Sequence, residues 1–307
     1  MKNKYQYFLV GIIVIGFISV LVYKGNKANS SSQETQSGSH IVQVVAAENF
    51  YGDIVQQLGG NHVSVLSILS DPNVDPHSYE SNVQDAIAVN KANLVIKNGV
   101  DYDTWMDKLL SASPNKSRVV LTAADIATHQ LPDNPHIWYG INNVPEIATK
   151  ITNVLKQEDP ADASEFDQNL TKFNDSLSPI RQTIQDIKTN FANTPVALSE
   201  TIYLYQTQLI GLNVLTPLAY EKAINEGNEP SAEDVATADD QVNNKQVKVL
   251  IYDAQNATPV TANLQHAAQQ QNIPIVSVTE TMPPHTHYQN WMEDQLAALE
   301  QALQTTK

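Results

Sequence analysis

The sequence predicts an α/β protein of two lobes, each a mainly parallel sheet flanked by helices, joined by one long rigid helix. Short β-branched runs alternate with helical segments in both halves of the chain, which is the pattern of parallel sheets. Between the two series, residues 163–191 carry apolar side chains at alternating spacings of 4 and 3, which favours a single amphipathic helix. We therefore place the N-terminal lobe at 41–160, the linking helix at 161–193 and the C-terminal lobe at 194–307.

Four aliphatic runs predict the strands of the N-terminal lobe, at residues 41–46, 63–69, 94–96 and 119–121. A helix is expected to begin at Glu48 and Asn49 and to close at Gly59 and Gly60. Further helices are expected over 81–92 and over 144–155, where Pro145 occupies the first turn.

Pro179 lies inside the predicted linking helix. Because proline lacks a backbone N–H and its ring crowds the preceding turn, we expect one lost hydrogen bond and a bend there. The apolar stripe is expected to pack in the core rather than to form a coiled coil with a partner. In the C-terminal lobe, strands are predicted at 195–198, 247–252 and 273–278, and a last helix at 291–304.

The first residues predict export. Lys2 and Lys4 precede an apolar run at 8–22 and Lys24 follows it, as in secretory signals and short N-terminal anchors. The run is short for a membrane span and no clean cleavage motif follows, so a cleaved signal and a retained anchor at 1–24 both remain open, with the anchor slightly favoured. No Cys follows the run, so lipid attachment there is not expected, and residues 25–40 are interpreted as a flexible tether.

The composition excludes several classes of site and partner. With 33 acidic and 18 basic residues, the chain has a formal charge of −15, which argues against a nucleic-acid partner and favours cations as ligands. There is no Cys, so disulfides, thiolate metal sites and a cysteine nucleophile are excluded. Any metal site must therefore use Asp, Glu and the 8 histidines.

Two histidines stand in similar local sequences. His77 lies in Asp-Pro-His-Ser-Tyr-Glu after the second strand, and His136 lies in Asn-Pro-His-Ile-Trp-Tyr before a helix. In each case a proline fixes the backbone before the imidazole and an aromatic ring follows. Two neutral imidazoles held in this way would lose little conformational freedom on binding a metal. On spacing alone, a shared metal site and two chance Pro-His loops remain equally open.

Two carboxylates occupy comparable positions in the C-terminal lobe. Glu200 follows the strand at 195–198, and Asp253 ends the strand at 247–252. Open α/β sheets bind ligands beyond the carboxyl ends of their strands, so a cleft between the lobes could join these carboxylates to the two imidazoles. Such a donor set suits zinc or manganese better than calcium or magnesium. Taken singly, each carboxylate is also explained as a helix cap or a solvated strand end.

The chain resembles the zinc/manganese-type solute-binding proteins of metal ABC transporters (cluster A-I). The segments that carry the resemblance are 48–52, 75–80, 93–99, 134–138 and 199–200, and it extends from Ile41 to about Leu303. It implies two α/β lobes linked by a long rigid helix, with a metal ion held between them for delivery to a membrane permease. It also implies His77, His136 and Glu200 as ligands, with an Asp from a loop after a later strand as the fourth.

The fourth ligand departs from the pattern of that family. The usual Asp lies deeper in the loop, where this chain has Asn256, Ala257 and Thr258, and Asp253 stands several residues early. Asp253 is our predicted ligand, while water, His285 or His287 remain open. The acidic, His-rich loop of many zinc-specific members is missing between 121 and 134, which leaves zinc and manganese hard to separate. Zinc is slightly favoured for its affinity for nitrogen ligands.

The predicted function is an extracytoplasmic receptor, monomeric and attached to the membrane if its signal is retained, that captures zinc or manganese and delivers it to an ABC permease. No H-E-x-x-H or G-x-S-x-G motif and no general base beside the site can be found, so no enzymatic activity is expected. A surface adhesin on the same scaffold, with a weakened or lost metal site, is the alternative. His62 and His266 are expected to be solvated.

Overall fold

The computed structural model describes residues 41–72, 74, 76 and 79–305. The predicted signal or anchor, the predicted tether and His77 therefore lie outside the described residues. Within the described ranges, no helix has both the length and the apolar character needed to cross a membrane.

Two parallel sheets of four strands each form the framework, and they share one strand order. The first sheet has the order β2-β1-β3-β4 and the second has the order β6-β5-β7-β8. The order reverses between β1 and β3 and again between β5 and β7, and an open parallel sheet binds ligands at the carboxyl ends of the strands that flank such a point. The strands are β1 (Val42–Glu48), β2 (Val63–Leu69), β3 (Leu94–Lys97), β4 (Val119–Thr122), β5 (Pro195–Leu198), β6 (Asn213–Val214), β7 (Val249–Asp253) and β8 (Ile275–Val278).

The predicted fold class is confirmed, and the bounds of the predicted strands agree with the structure to within about two residues. The strands are short aliphatic runs because helices cover the sheets on both faces, and all five residues of β7 are buried. Strand β6 was not predicted, since a strand of two residues leaves no periodic pattern in a sequence.

Helices connect successive strands and cover the sheets. Their bounds are α1 (Asn49–Gly59), α2 (Val83–Lys91), α3 (Thr104–Ala112), α4 (Ala123–Ile126), α5 (Val144–Glu158), α6 (Ala163–Ser176), α7 (Ser178–Phe191), α8 (Leu204–Ile210), α9 (Leu218–Asn225), α10 (Ala232–Asn243), α11 (Pro259–Gln270) and α12 (Tyr288–Gln304). Short 3-10 turns lie at Gly60–His62, Ile137–Tyr139, Pro160–Asp162 and Thr201–Tyr203.

The structure resolves the predicted linking helix into two helices, α6 and α7, which meet at Leu177. Pro179 lies in the first turn of α7, where its missing N–H leaves no bond unmade. An unbroken helix would place the proline ring against the carbonyl of Asp175, so the helical hydrogen-bond pattern is interrupted before Pro179. The Leu177 N–H donates instead to the Asn174 carbonyl, at 3.3 Å, in a tighter turn.

One hydrophobic core extends through both sheets and the two linking helices. Helix α6 packs against α1 and α5, whereas α7 packs against α8 and α12. Phe166 and Phe173 of α6 and Ile180 and Ile187 of α7 are buried in this core. The pair α6 and α7 therefore bridges the two halves of the fold.

Candidate metal centre

His136 is completely buried, and its neighbour Asn134 fixes the protonation of its ring. The amide of Asn134 donates from Nδ2 to the Thr201 carbonyl at 2.8 Å, which turns its oxygen towards the histidine. Oδ1 accepts the backbone N–H of His136 and lies 3.0 Å from His136 Nδ1. Because Oδ1 can only accept, Nδ1 carries the proton and Nε2 carries a lone pair, as a metal-binding imidazole requires.

Hydrogen bonds from Asn98 and Tyr51, in the first half of the fold, fix the loop that carries His136. Asn98, which follows β3, donates from Nδ2 to the Pro135 carbonyl at 2.8 Å, and its own Oδ1 accepts from the Tyr51 hydroxyl at 2.7 Å. The rings of Trp138 and Tyr102 approach the imidazole edge to face, with centroids at 5.3 Å and 6.1 Å. These contacts leave the imidazole little rotational freedom, so little is lost when it binds a ligand.

Glu200 and Asp253 lie at the carboxyl ends of β5 and β7, beside the point where the second sheet reverses its strand order. Glu200 is 1% exposed, and its Oε1 accepts the N–H of Ile202 at 2.8 Å. Asp253 is fully buried, its Oδ1 accepts the N–H of Gln255 at 3.0 Å, and its own N–H donates to Ser199 Oγ. The sheet thus places both carboxylates at one edge.

Glu280 is a third carboxylate at the same edge, two residues beyond the end of β8, and it is 1% exposed. Burial and then the nearby charge of Glu280 raise the pKa of the Tyr102 hydroxyl, and the ring of Tyr102 is the same one that contacts His136. Glu280 was not among the predicted site residues. The rule that selected Glu200 and Asp253, a carboxylate just after a strand, would also have selected Glu280 after the predicted strand at 273–278.

Gln255 connects the loops of the second sheet with a loop of the first. Its Oε1 accepts the N–H groups of Glu280 and Thr281, at 2.7 Å and 2.9 Å. Its Nε2 donates to the Val74 carbonyl at 3.1 Å, in the loop that leads to His77. This single amide therefore fixes the loops after β2, β7 and β8 relative to one another.

The site contains three carboxyl groups that are buried away from water, those of Glu200, Asp253 and Glu280. Burial, reinforced by the nearby charges of Asp253 and then Glu221, raises the pKa of Glu200 well above its ordinary value. Burial, followed by the charge of Glu280, likewise raises the pKa of the Tyr102 hydroxyl well above its ordinary value. A cation bound among these groups would remove the mutual repulsion of the carboxylates, so the arrangement favours a divalent metal over a neutral solute.

Comparison with known proteins identifies the family of this chain. The profile of a family described as zinc-uptake complex component A, periplasmic (ZnuA), matches residues 44–302, which is most of the chain. The chain belongs to the ZnuA family. The manganese ABC transporter substrate-binding lipoprotein PsaA of Streptococcus mitis is 24% identical over 318 aligned positions, which cover 96% of this chain and 98% of that protein.

Solved structures of other proteins share the fold of this ZnuA-family chain. The periplasmic zinc-binding protein TroA of Treponema pallidum superposes with a TM-score of 0.73 and 17% identity, covering 85% of this chain and 98% of TroA. The binding protein FpvC of Pseudomonas aeruginosa, solved with Mn²⁺, gives a TM-score of 0.72 and 20% identity, covering 87% of this chain and 99% of FpvC. At 17% and 20% sequence identity, this structural similarity establishes the fold alone.

The structure brings three of the four predicted site residues of this ZnuA-family chain to one place. His136 and Glu200 are joined through Asn134 and Thr201, and the Asp253 carboxylate lies close enough to Glu200 to raise its pKa. The fourth, His77, lies outside the described residues. The two alternative histidines are elsewhere: His285 is exposed, and His287 is largely exposed with its Nδ1 2.7 Å from Asp53 Oδ1.

Proposed function

We propose that this protein is an extracytoplasmic receptor that binds a divalent transition metal, zinc or manganese, as cargo and delivers it to an ABC permease. The observation that carries this proposal is the fully buried His136, whose Nδ1 is fixed by Asn134 so that Nε2 is the metal-binding nitrogen. Buried carboxylates at the ends of β5, β7 and β8 supply the negative charge that a divalent cation requires. No catalytic group is needed for this role, and none is proposed.

The proposed ligands are His77 and His136 from the lobe at 41–160 and Glu200 and Glu280 from the lobe at 194–307. Glu280 is preferred to Asp253 as the fourth ligand for two reasons. Asp253 is the last residue of β7 and its Oδ1 already accepts the N–H of Gln255, so the sheet holds it in place. Glu280 lies in a loop, has a longer side chain and lies close enough to Tyr102, whose ring contacts His136, for its charge to raise the pKa of the Tyr102 hydroxyl.

Zinc is the favoured cargo, with manganese as the second candidate. Two imidazoles and two carboxylates make a four-ligand set of the kind zinc adopts. At a given set of nitrogen and oxygen ligands, zinc binds more tightly than manganese. Two relatives favour manganese instead, since PsaA is named for manganese and FpvC was solved with Mn²⁺.

We propose that the metal is held between the lobes and is delivered from there to the permease. Loops from both sheets would close on the metal, and the permease would distinguish the loaded from the empty protein by the order of those loops. We propose that the protein acts as a monomer and stays at the membrane through residues 1–24.

The proposal is tested by titrating the metal-free full chain with Zn²⁺ and Mn²⁺ separately, following heat by calorimetry. The wild type is compared with His136→Ala and with the control His266→Ala, whose histidine is exposed on α11. We expect tight binding at the cargo site that weakens at least tenfold in His136→Ala and is unchanged in His266→Ala. Equal affinity in all three proteins would overturn the proposed site.

A further inference from the structure

Glu48 is a buried carboxylate at the carboxyl end of β1, and the proposed ligand set leaves it unused. It is 0% exposed, and neither carboxylate oxygen has a hydrogen-bond partner in another residue within the described part of the chain. Glu48 is also the N-cap of α1, where a carboxylate could accept a free N–H of the first turn, yet its side chain makes no such bond. Burying such a carboxylate is costly, and buried charges are normally paired or bound to a metal.

The side chain of Glu48 lies on the face of β1 that packs against the core shared by both halves of the fold. Successive residues of a strand point to opposite faces, and the backbone of Glu48 is still extended, so it shares its face with Val44 and Ala46. Both belong to the hydrophobic cluster that contains Trp138 and residues of the second sheet. Val45, on the other face, belongs to a separate cluster. Glu48 therefore points to the side on which the second half lies.

The residue after Glu48 is hydrogen-bonded to the loop of Glu280. Asn49 exchanges two hydrogen bonds with the backbone of Met282, at 2.6 Å and 3.0 Å, two residues beyond Glu280. Burial and then the charges of Glu280 and Glu48 raise the pKa of the Tyr102 hydroxyl. The two glutamates therefore lie near the same phenol, one from each half of the fold.

A second contact ties the start of α1 to the loop of His136. Phe50, two residues after Glu48, stacks on Trp138 with ring centroids at 4.4 Å. The ring of Trp138 in turn approaches the His136 imidazole edge to face, at 5.3 Å. The backbone of Glu48 is thus fixed between the loops that carry two of the proposed ligands.

We infer that the Glu48 carboxylate is a further ligand of the cargo metal, and that it is the ligand that allows the site to retain manganese. The inference rests on the proposed cargo site and adds to it one oxygen donor from β1, a strand beside the point where the first sheet reverses its order. Manganese prefers oxygen ligands in an octahedral arrangement, whereas four ligands satisfy zinc. Loss of an additional anionic oxygen therefore costs manganese more affinity than zinc.

The test measures Mn²⁺ and Zn²⁺ affinity of the metal-free full chain by calorimetry, using each metal alone as the probe. The wild type is compared with Glu48→Gln, Glu48→Asp and the control Glu233→Gln, which removes an exposed carboxylate at the start of α10. We expect Glu48→Gln to lower manganese affinity by about tenfold or more and zinc affinity by about threefold or less. Glu48→Asp keeps the charge but withdraws the oxygens by one methylene, so it should also lower manganese affinity. The control should match the wild type.

Thermal unfolding of the metal-free proteins separates a ligand from a group that only stabilises the fold. Glu48→Gln removes a buried charge and keeps the shape of the side chain, so the metal-free variant should unfold at the wild-type temperature or above it. A lower unfolding temperature would indicate a structural role and overturn the inference. Unchanged manganese affinity in Glu48→Gln, an equal loss for both metals, or wild-type manganese affinity in Glu48→Asp would also overturn it.

His136→Ala distinguishes failure of this inference from failure of the proposed function, because it should weaken the binding of both metals. If His136→Ala weakens both metals and Glu48→Gln weakens neither, the cargo site stands and the role of Glu48 is wrong. If neither variant weakens the binding of either metal, both the cargo site and the role of Glu48 are wrong.

Discussion

At the residue scale, Asn134 determines which nitrogen of His136 faces the proposed metal. Its amide is fixed by the Thr201 carbonyl on one side and accepts from His136 on the other. It therefore couples His136, in the first half of the fold, to the loop of Glu200 in the second. In the proposed site, Asn134 would therefore act on metal binding without touching the metal.

Asn134→Ala is therefore expected to lower zinc affinity by about 10–100-fold, because the ring loses the acceptor that selects its tautomer. Calorimetric titration of the metal-free protein measures the change. Asn142→Ala is the matched control, since Asn142 is an exposed asparagine six residues beyond His136 and should leave affinity unchanged. Equal affinity in Asn134→Ala and the control would show that Asn134 does not orient the ligand.

Glu221, on α9, predicts a pH dependence of stability. It is 1% exposed, neither oxygen has a hydrogen-bond partner within the described ranges, and burial raises its pKa well above the ordinary value. The folded protein thus keeps this proton to a higher pH than the unfolded chain does. The stability that the group contributes is present below the unfolded pKa of about 4.3 and is lost as pH rises through the folded pKa.

Glu221→Gln removes this titration, so the metal-free variant should exceed the wild type in unfolding temperature at pH 8 by on the order of 2–4 °C. The difference should shrink at pH 4.5, where the wild-type carboxyl is protonated. Thermal unfolding followed by circular dichroism at both pH values measures it, with Glu226→Gln as an exposed control in the same region. A difference that does not depend on pH would contradict the assignment.

At the scale of elements, the C-terminal helix α12 carries much of the core of the second half. It packs against α7, α1 and β8, and so contacts both halves of the fold. Leu296 in its middle is fully buried. The helix begins after His287, whose contact with Asp53 joins it to α1.

Leu296→Ala is expected to lower the free energy of unfolding by about 2–5 kcal/mol, because it leaves a cavity where the helix meets the core. Leu218→Ala is the matched control, since Leu218 is 53% exposed at the start of α9, and it should change stability by about 0.5 kcal/mol or less. Denaturant unfolding measures both. Similar losses for the two variants would contradict the packing described for α12.

The type of each helix and strand could be predicted from local sequence pattern. The full set of residues in the proposed site could not. The β-branched runs and the 3- and 4-residue spacings gave the strands and helices, and Pro179 marked the interruption between α6 and α7. His136 and Glu200 could be selected because each stands beside a strand end or in a constrained Pro-His loop. Glu280 was overlooked. The prediction that His62 is solvated was wrong, since its side chain is only 16% exposed and contacts Glu165, 103 positions away, which no local pattern reveals.

At the scale of the whole molecule, the two halves share one core, and several direct hydrogen bonds join them. The Tyr288 hydroxyl donates to the Trp138 carbonyl at 2.6 Å, and the Tyr139 hydroxyl donates to the Thr279 carbonyl at 2.8 Å. Asn49 forms a pair of hydrogen bonds with the backbone of Met282, at 2.6 Å and 3.0 Å. Opening the halves widely would break these bonds and expose the core.

Metal binding should therefore change the overall dimensions very little. We expect the radius of gyration from small-angle X-ray scattering to differ by less than about 1 Å between metal-free and zinc-loaded protein, as in preorganised complexes. Hydrogen exchange should instead slow in the loops after β2, β7 and β8. A change of several ångströms in the radius of gyration would indicate a hinge that these contacts do not allow.

The central claim is a metal cargo site built from His136 and carboxylates of the second sheet. An anomalous difference map at the zinc absorption edge, from crystals of the zinc-loaded protein, tests it most directly. We predict a peak about 2.0–2.1 Å from His136 Nε2 and about 2.0–2.2 Å from carboxylate oxygens of Glu200 and Glu280. A map from zinc-saturated crystals with no peak beside His136 would contradict the account.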